Sequence, residues 1–388
     1  MIKILGRKKT IFPIFIFIIT LIVYYLTSAG ETPYDYFTRL AASFLKGKYY
    51  LTENPVWLNE LIPVGNTKFF VVYPPMPAIL SIPFVLIFNN FQQQYLAHIL
   101  GAGIVYFTVK LALKIKNDEK LAIWSGILIG FGTIIWYLSS TGSVWYLGQV
   151  TSCFFLMAAL NESFGKKRPT LTGILLGASF LSRLTTILSF PLFLYLIKGK
   201  KTINSSIKFI LGILPFIIFN FGYNFIRFGT IFDKGYYLIP GVLNESWYQK
   251  GIFHPFYIPR HLKVIFTSFP IFQKEFPYII PSHTGLSIWI TTPAFIYSLF
   301  SNIKEKIVKI SWIIIVLISL VIFSHGTTGF AQFGYRFAVD FYPFLMLLTI
   351  KGVAKSKLNK YHWILLTISF LVNLWGVIWI NKFGWVSF

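Results

Sequence analysis

The strongest constraint on this chain is the recurrence of apolar runs, each bounded by a short cluster of lysines and arginines. A membrane-crossing helix needs about 20 predominantly apolar residues. Residues 11–28, 95–114, 121–139, 145–164, 207–227 and 363–380 are runs of that kind, and 285–300, 310–323 and 337–350 are shorter ones. Only 12% of the 388 residues are charged and 55% are hydrophobic, whereas a soluble domain carries about a quarter charged residues. The expected fold is an all-α polytopic membrane protein, a single integral membrane domain over residues 1–388.

A formal charge of +23 invites a nucleic-acid partner. The placement of the charges argues against one. They fall in clusters between apolar runs: Lys3, Arg7, Lys8 and Lys9; Lys114, Lys116 and Lys120; Lys166, Lys167 and Arg168; Lys198, Lys200 and Lys201; Lys304, Lys306 and Lys309; Lys351, Lys355, Lys357 and Lys360. Short cytoplasmic loops carry such an excess of Lys and Arg. The N-terminus is therefore expected in the cytoplasm, with residues 29–78 and 228–282 as two long external loops. The N-terminal run resembles a signal peptide but has no convincing small-residue cleavage site, and it reads as an uncleaved first helix.

Residues 170–197 start and end at basic clusters, so both ends belong on the cytoplasmic side. Twenty-eight residues are too few for two full spans, so a hairpin of two short helices turning near Arg183 is expected. Counting that hairpin as two gives eleven spans. Gly173-x-x-x-Gly177 is a close-packing signal between helices. The lone Cys153 excludes an intrachain disulfide and a cysteine metal site. No internal repeat of the kind found in many transporters is visible.

Four of the twelve carboxylates lie in the first loop: Glu31, Asp35, Glu53 and Glu60. Thr32-Pro33-Tyr34-Asp35 reads as a helix start, with Thr32 as N-cap, Pro33 at the first helical position and Asp35 completing a capping box. Phe37, Leu40, Ala41, Phe44 and Leu45 follow at helical spacing and Gly47 ends the run, giving an amphipathic helix with its apolar stripe toward the outer membrane interface. Residues 76–88, interrupted by Pro77 and Pro83, are too short to span. Glu31, Asp35 and Glu60 are the candidate catalytic carboxylates, since a partly desolvated carboxyl can act as a general base near neutral pH. Two of them have a plainer reading: a solvated helix flank for Glu31, and capping and an i,i+4 pair with Arg39 for Asp35; Glu53, before Asn54-Pro55 in a turn, reads as a solvated carboxylate. The apolar setting Trp57-Leu58-Asn59-Glu60-Leu61-Ile62 favours a raised pKa for Glu60.

Cationic candidates sit at outer helix ends. Arg183, in Leu181-Ser182-Arg183-Leu184-Thr185, could bind a lipid phosphate or snorkel to the interface. Arg336 and Asp340 stand at i,i+4, which reads as a buried ion pair or as a carboxylate orienting an arginine for bidentate phosphate binding. Arg260 and His261, beside Lys263, form either a phosphate or sugar-phosphate site or an ordinary basic loop facing anionic lipid. The histidines show no HExxH or paired spacing, and no Walker loop, GxSxG or GxGxxG is present, so no metal ligand is assigned.

These residues together resemble the GT-C glycosyltransferases, nearest to glycosyltransferase family 39, the protein O-mannosyltransferase and aminoarabinose-transferase group. One helix is followed by a long loop with carboxylates, Gly30-Glu31-Thr32-Pro33-Tyr34, a Leu-rich amphipathic helix and Phe70-Val71-Val72-Tyr73-Pro74-Pro75. The family's Asp-Glu pair falls on Gly30-Glu31, leaving Glu31 alone. Tyr73 stands where the family often carries lysine, and it is counted among the substrate-binding positions. Arg183 matches the basic residue at the family's mid-chain hairpin.

The resemblance implies an inverting transferase that moves a sugar from a polyprenyl-phosphate donor to an acceptor hydroxyl on a lipid, glycan or protein. Outer-end arginines would hold the phosphate and a loop carboxylate would serve as base. It fixes no cofactor and is compatible with a divalent metal. The alternatives are a lipid-linked oligosaccharide ligase or polymerase, and a lipid or solute transporter.

Overall fold

A computed structural model describes residues 2–88, 90–197, 202–282 and 284–386 of the chain. The basic cluster at 198–201 lies outside the described residues. In chain order the helices are α1 Ile2–Leu26, α2 Tyr36–Leu45, α3 Met76–Ile87, α4 Gln93–Ile115, α5 Glu119–Phe131, α6 Ile135–Thr141, α7 Val144–Ser163, α8 Pro169–Phe180, α9 Phe190–Ile197, α10 Thr202–Phe228, α11 Gly235–Leu238, α12 Ile258–Thr267, α13 Ile288–Thr291, α14 Lys306–Phe323, α15 Tyr342–Ser356 and α16 Lys360–Phe383. The polytopic helical fold expected from the apolar runs is the one observed.

Among the described residues, α4, α7, α10, α14 and α16 are long and apolar enough to cross a membrane. Helices α5 and α6 form a sixth, bent by 52°. The bend falls at Thr133, whose hydroxyl donates to the Ile129 carbonyl and accepts from the Ile135 amide. Such competition with the backbone ladder bends helices. The other expected spans are shorter or broken. The run at 285–300 divides into α13 and a 3-10 stretch Pro293–Phe300, because Pro293 has no N–H to continue the ladder. The run at 337–350 begins as a 3-10 turn, Arg336–Asp340, before α15.

The core is built on α4 and α7, whose most apolar stretches are 72% and 83% buried, against 33%, 39% and 28% for α10, α14 and α16. The latter three turn their apolar surface outward, as helices at a lipid boundary do. Helices α8 and α10 approach closely at glycines. A Cβ on Gly173 would stand 2.1 Å from the Phe209 carbonyl oxygen, and one on Gly212 would stand 2.3 Å from that of Thr170. This realises the close-packing signal.

The first loop is folded. Its helix begins at Tyr36, not Thr32. Asp35 takes the N-cap position but its side chain makes no capping bond. Instead it pairs with Arg39, Nε to Oδ1 at 2.7 Å. The capping box is therefore replaced by the i,i+4 pair. The apolar stripe of α2 does not face lipid: Tyr36, Phe37, Leu40 and Ala41 are buried, and Phe37 meets the Tyr73 ring at 6.0 Å. A β-hairpin not expected from the sequence follows, β1 Leu61–Val64 against β2 Lys68–Val71, antiparallel with Leu61 opposite Val71. Gly65 turns it in the left-handed region at φ +64°, which glycine adopts without steric cost.

Candidate active site

Three segments converge at the end of the bundle that carries the first loop. The first is the turn between α8 and α9. Its hydroxyls hold it in shape: Ser182 donates to the Ala178 carbonyl, Thr186 to the Arg183 carbonyl, and Ser179 to Thr186. The amide of Met76 donates to the Leu181 carbonyl at 3.1 Å, so the Tyr73-Pro74-Pro75 corner docks onto this turn. The hairpin anticipated near Arg183 is present.

The second segment is the 3-10 turn Arg336–Asp340. The expected Arg336–Asp340 pair does not form. Asp340, with its side chain fully buried, accepts instead from Arg183, Nε to Oδ1 at 3.0 Å and Nη2 to Oδ2 at 2.9 Å, and from Thr185 Oγ1 at 2.7 Å. The helix type explains the exchange. A 3-10 helix has three residues per turn, so positions four apart lie about 120° apart around the axis and do not share a face.

Arg336 is thereby left without a carboxylate partner among the described residues. Its amide donates to Gln332 Oε1 and its carbonyl accepts from Gln149 Nε2. Its guanidinium lies 4.7 Å from the Phe337 ring centroid and 5.9 Å from that of Tyr146. Its buried Nε has no hydrogen-bond partner. The Arg183 guanidinium lies 5.9 Å from the same Phe337 ring. Two guanidinium groups thus border one aromatic ring, and Asp340 is paired with one of them, Arg183. Arg336 is thus a buried cation with no ion-paired carboxylate among the described residues, an arrangement that is costly to keep.

The third segment is the first loop at Glu60. Trp145, at the start of α7, donates Nε1–H to Glu60 Oε2 at 3.0 Å, and the Glu60 amide donates to the Tyr36 hydroxyl at 3.0 Å. Gln93 ties the same loop to the bundle, donating to the carbonyls of Tyr34 and Gly142 and accepting from the Phe37 amide. The Tyr34 ring packs 4.6 Å from Trp145. Burial pushes the Glu60 carboxyl up to about 7, against the opposing pull of the Trp145 hydrogen bond and the Arg336 charge.

The second loop covers this site with rings. His325 is ringed by Tyr236, Tyr248, Phe253 and Phe337 at centroid distances of 5.3–5.8 Å. Burial, with His261, Arg183 and Arg336 adding to it, pushes the His325 imidazole down to about 4. It is neutral at pH 7.

The other expected positions lie elsewhere in the network. Glu31 is exposed and accepts from Gln92 Nε2 at 3.1 Å. Asp35 is held by Arg39, which also reaches Glu53 at 3.3 Å. Tyr73 packs against Tyr36 and Phe37, and its buried hydroxyl has no partner. Arg260 donates to the Gly326 carbonyl and lies 5.5 Å from the Tyr257 ring. His261 is fully buried and both ring nitrogens are engaged, by the Tyr335 hydroxyl and the His325 carbonyl. Neither nitrogen is free for a ligand, so Arg260 and His261 act as a strut between α12 and the segment after α14.

Sequence reasoning missed Trp145, Thr185, Tyr236, Tyr248 and His325. Aromatic residues are too common here, at 19% of the chain, for any one of them to have signalled a site. Among the described residues no group of three His, Cys, Asp or Glu side chains could hold a metal ion.

The helices and the converging segments make up a polytopic membrane fold that is similar to folds already solved. The particular likeness is to ArnT from Cupriavidus metallidurans. Bound to undecaprenyl phosphate, that structure matches at a TM-score of 0.55 and 11% identity, covering 92% of this chain and 62% of its own. Its apo state matches at 0.52 and 11%, covering 93% and 62%. This chain therefore spans about three-fifths of the ArnT chain. The oligosaccharyltransferase of Archaeoglobus fulgidus, in the apo form, aligns at 0.49 and 12% identity, over 95% of this chain and 55% of its own. No protein-family model matches the sequence, and no curated protein matches it.

Proposed function

We propose that this protein is a membrane glycosyltransferase that moves a sugar from a polyprenyl-phosphate donor to an acceptor hydroxyl, with residues 29–78 and 228–282 on the outer face of the membrane. The observation that carries this reading is the pair of guanidinium groups at Phe337, Arg183 paired with Asp340 and Arg336 with no paired carboxylate, with the near-neutral Glu60 carboxyl within reach of the Arg336 charge. The likeness to a fold solved with undecaprenyl phosphate bound supports the donor class.

Arg336 and Arg183 hold the donor phosphate. Arg336 supplies unpaired N–H groups and Arg183 a guanidinium already oriented by Asp340. The acceptor oxygen attacks the anomeric carbon, the bond from that carbon to the phosphate oxygen breaks, and the electron pair leaves on the lipid phosphate. Glu60 takes the acceptor proton. Positive charge fixed beside the leaving phosphate stabilises the transition state more than the ground state. A single displacement inverts the anomeric configuration.

The test is release of sugar from a panel of labelled polyprenyl-phosphate sugars by the purified protein. Wild type should turn over at least one donor. Glu60→Gln should lose about 10²–10⁴-fold, the usual contribution of a positioned base, while Glu31→Gln and Asp35→Asn retain activity within about threefold. Turnover that survives Glu60→Gln removes it as the base, and no turnover with any donor removes the transferase reading.

A further inference from the structure

The other end of the bundle holds a concavity that the transferase reading does not use. It has a volume of about 410 Å³ and is lined by Lys110, Lys114, Asn161, Glu162, Lys166 and Arg168. It lies where the last turn of α4 meets the end of α7. Sixteen residues of α7 separate Asn161 from Trp145, about 24 Å of helix. The two sites are therefore on opposite ends of the molecule.

Its one carboxylate is already taken. Glu162 Oε1 accepts from the Arg168 Nε at 2.9 Å and the Arg168 amide at 3.1 Å, and Oε2 accepts from Nη2 at 3.0 Å. Fork-to-fork bonding of this kind neutralises both partners. The three lysines have no such relief. Lys114 donates to the carbonyl and side-chain oxygens of Asn161. Lys110 donates to the Tyr106 hydroxyl at 3.2 Å and lies 5.0 Å from that ring. Among the described residues none of Lys110, Lys114 and Lys166 is within salt-bridge distance of a carboxylate. Lys110 and Lys114 are also i,i+4 neighbours on α4, where like charges repel.

We propose that this concavity binds a phosphate anion, with three ammonium groups converging on its oxygens. The phosphate comes either from the headgroup of an anionic phospholipid in the leaflet at that end or from free phosphate. A general excess of basic residues on one side of the membrane explains lysines in loops. It does not by itself line one pocket with them and close off that pocket's only carboxylate. Basic pockets between membrane helices recognise lipid phosphates in this way.

The experiment uses the purified full chain in detergent. One arm measures retention of phosphatidylglycerol against phosphatidylcholine by native mass spectrometry. The other measures the rise in Tm on adding inorganic phosphate, with chloride at matched ionic strength as reference. The test variant is Lys110→Gln with Lys166→Gln. The control is Lys304→Gln with Lys309→Gln, which removes the same charge away from the pocket. Both variants should elute as wild type by size exclusion.

Preferential retention of phosphatidylglycerol that falls roughly tenfold in the test variant and not in the control supports a lipid headgroup. A phosphate-dependent Tm rise lost only in the test variant supports free phosphate. If wild type shows neither response, or if the control loses as much as the test variant, the proposal is overturned.

Discussion

The turn carrying Arg183 and the turn carrying Arg336 meet at one aromatic ring, yet they treat their arginines oppositely. Arg183 is met by a carboxylate in fork geometry and by a turn sewn together with hydroxyls. Arg336 is held by its backbone, through Gln332 and Gln149, while its guanidinium has only ring faces and the more distant Glu60 charge. A buried charge without a partner is costly to keep. The first turn is built for stability and orientation. In the proposed function the second keeps its interaction for the donor phosphate. The lysine pocket at the far end repeats the second pattern with more compact, more strongly hydrated cations.

This contrast can be broken most directly at Asp340. Asp340→Asn removes the partner of Arg183 and should destabilise the protein by about 3–5 kcal/mol, the usual cost of breaking a buried pair. A Tm equal to wild type would show that Arg183 is not held as described. Arg336→Met should act the other way round. It removes an uncompensated charge, so Tm should stay level or rise, while donor turnover drops by about 10²–10³-fold. A fall in Tm without loss of turnover would reverse the assignment of the two turns.

The pH profile sharpens the comparison. Glu60 must be ionised to accept a proton, and its carboxyl is pushed up to about 7. Turnover should therefore fall about tenfold for each pH unit below 7 and level off above it. A midpoint near 4 would point to a solvated carboxylate elsewhere in the loop. The smallest effect is expected for Thr185→Val, which removes one hydrogen bond to Asp340 and should cost about 1.5 kcal/mol. Turnover should hold, because the Arg183 fork remains.

Part of this arrangement was legible in the chain. The 28 residues between two basic clusters could only be a short hairpin, and the structure turns it at Arg183. The interruptions by Pro77 and Pro83 marked α3 as too short to span, and it is 12 residues long. The loop carboxylates and the outer-end arginines were recognised as candidates by residue type and location. Their partners were not. Arg183 and Asp340 are 157 positions apart and Glu60 and Trp145 are 85 apart. The i,i+4 reading of Arg336 and Asp340 failed because it presumed an α-helix where the backbone is 3-10.

The division has one physical cause. In hydrocarbon every backbone N–H and C=O must be satisfied within its own helix, so the positions of the helices follow from local length and apolarity and can be read from the sequence. Side-chain charges at the helix ends are under no such local rule. Each is settled by whichever neighbouring end the packing brings beside it, and that decided which arginine was paired and which was left open.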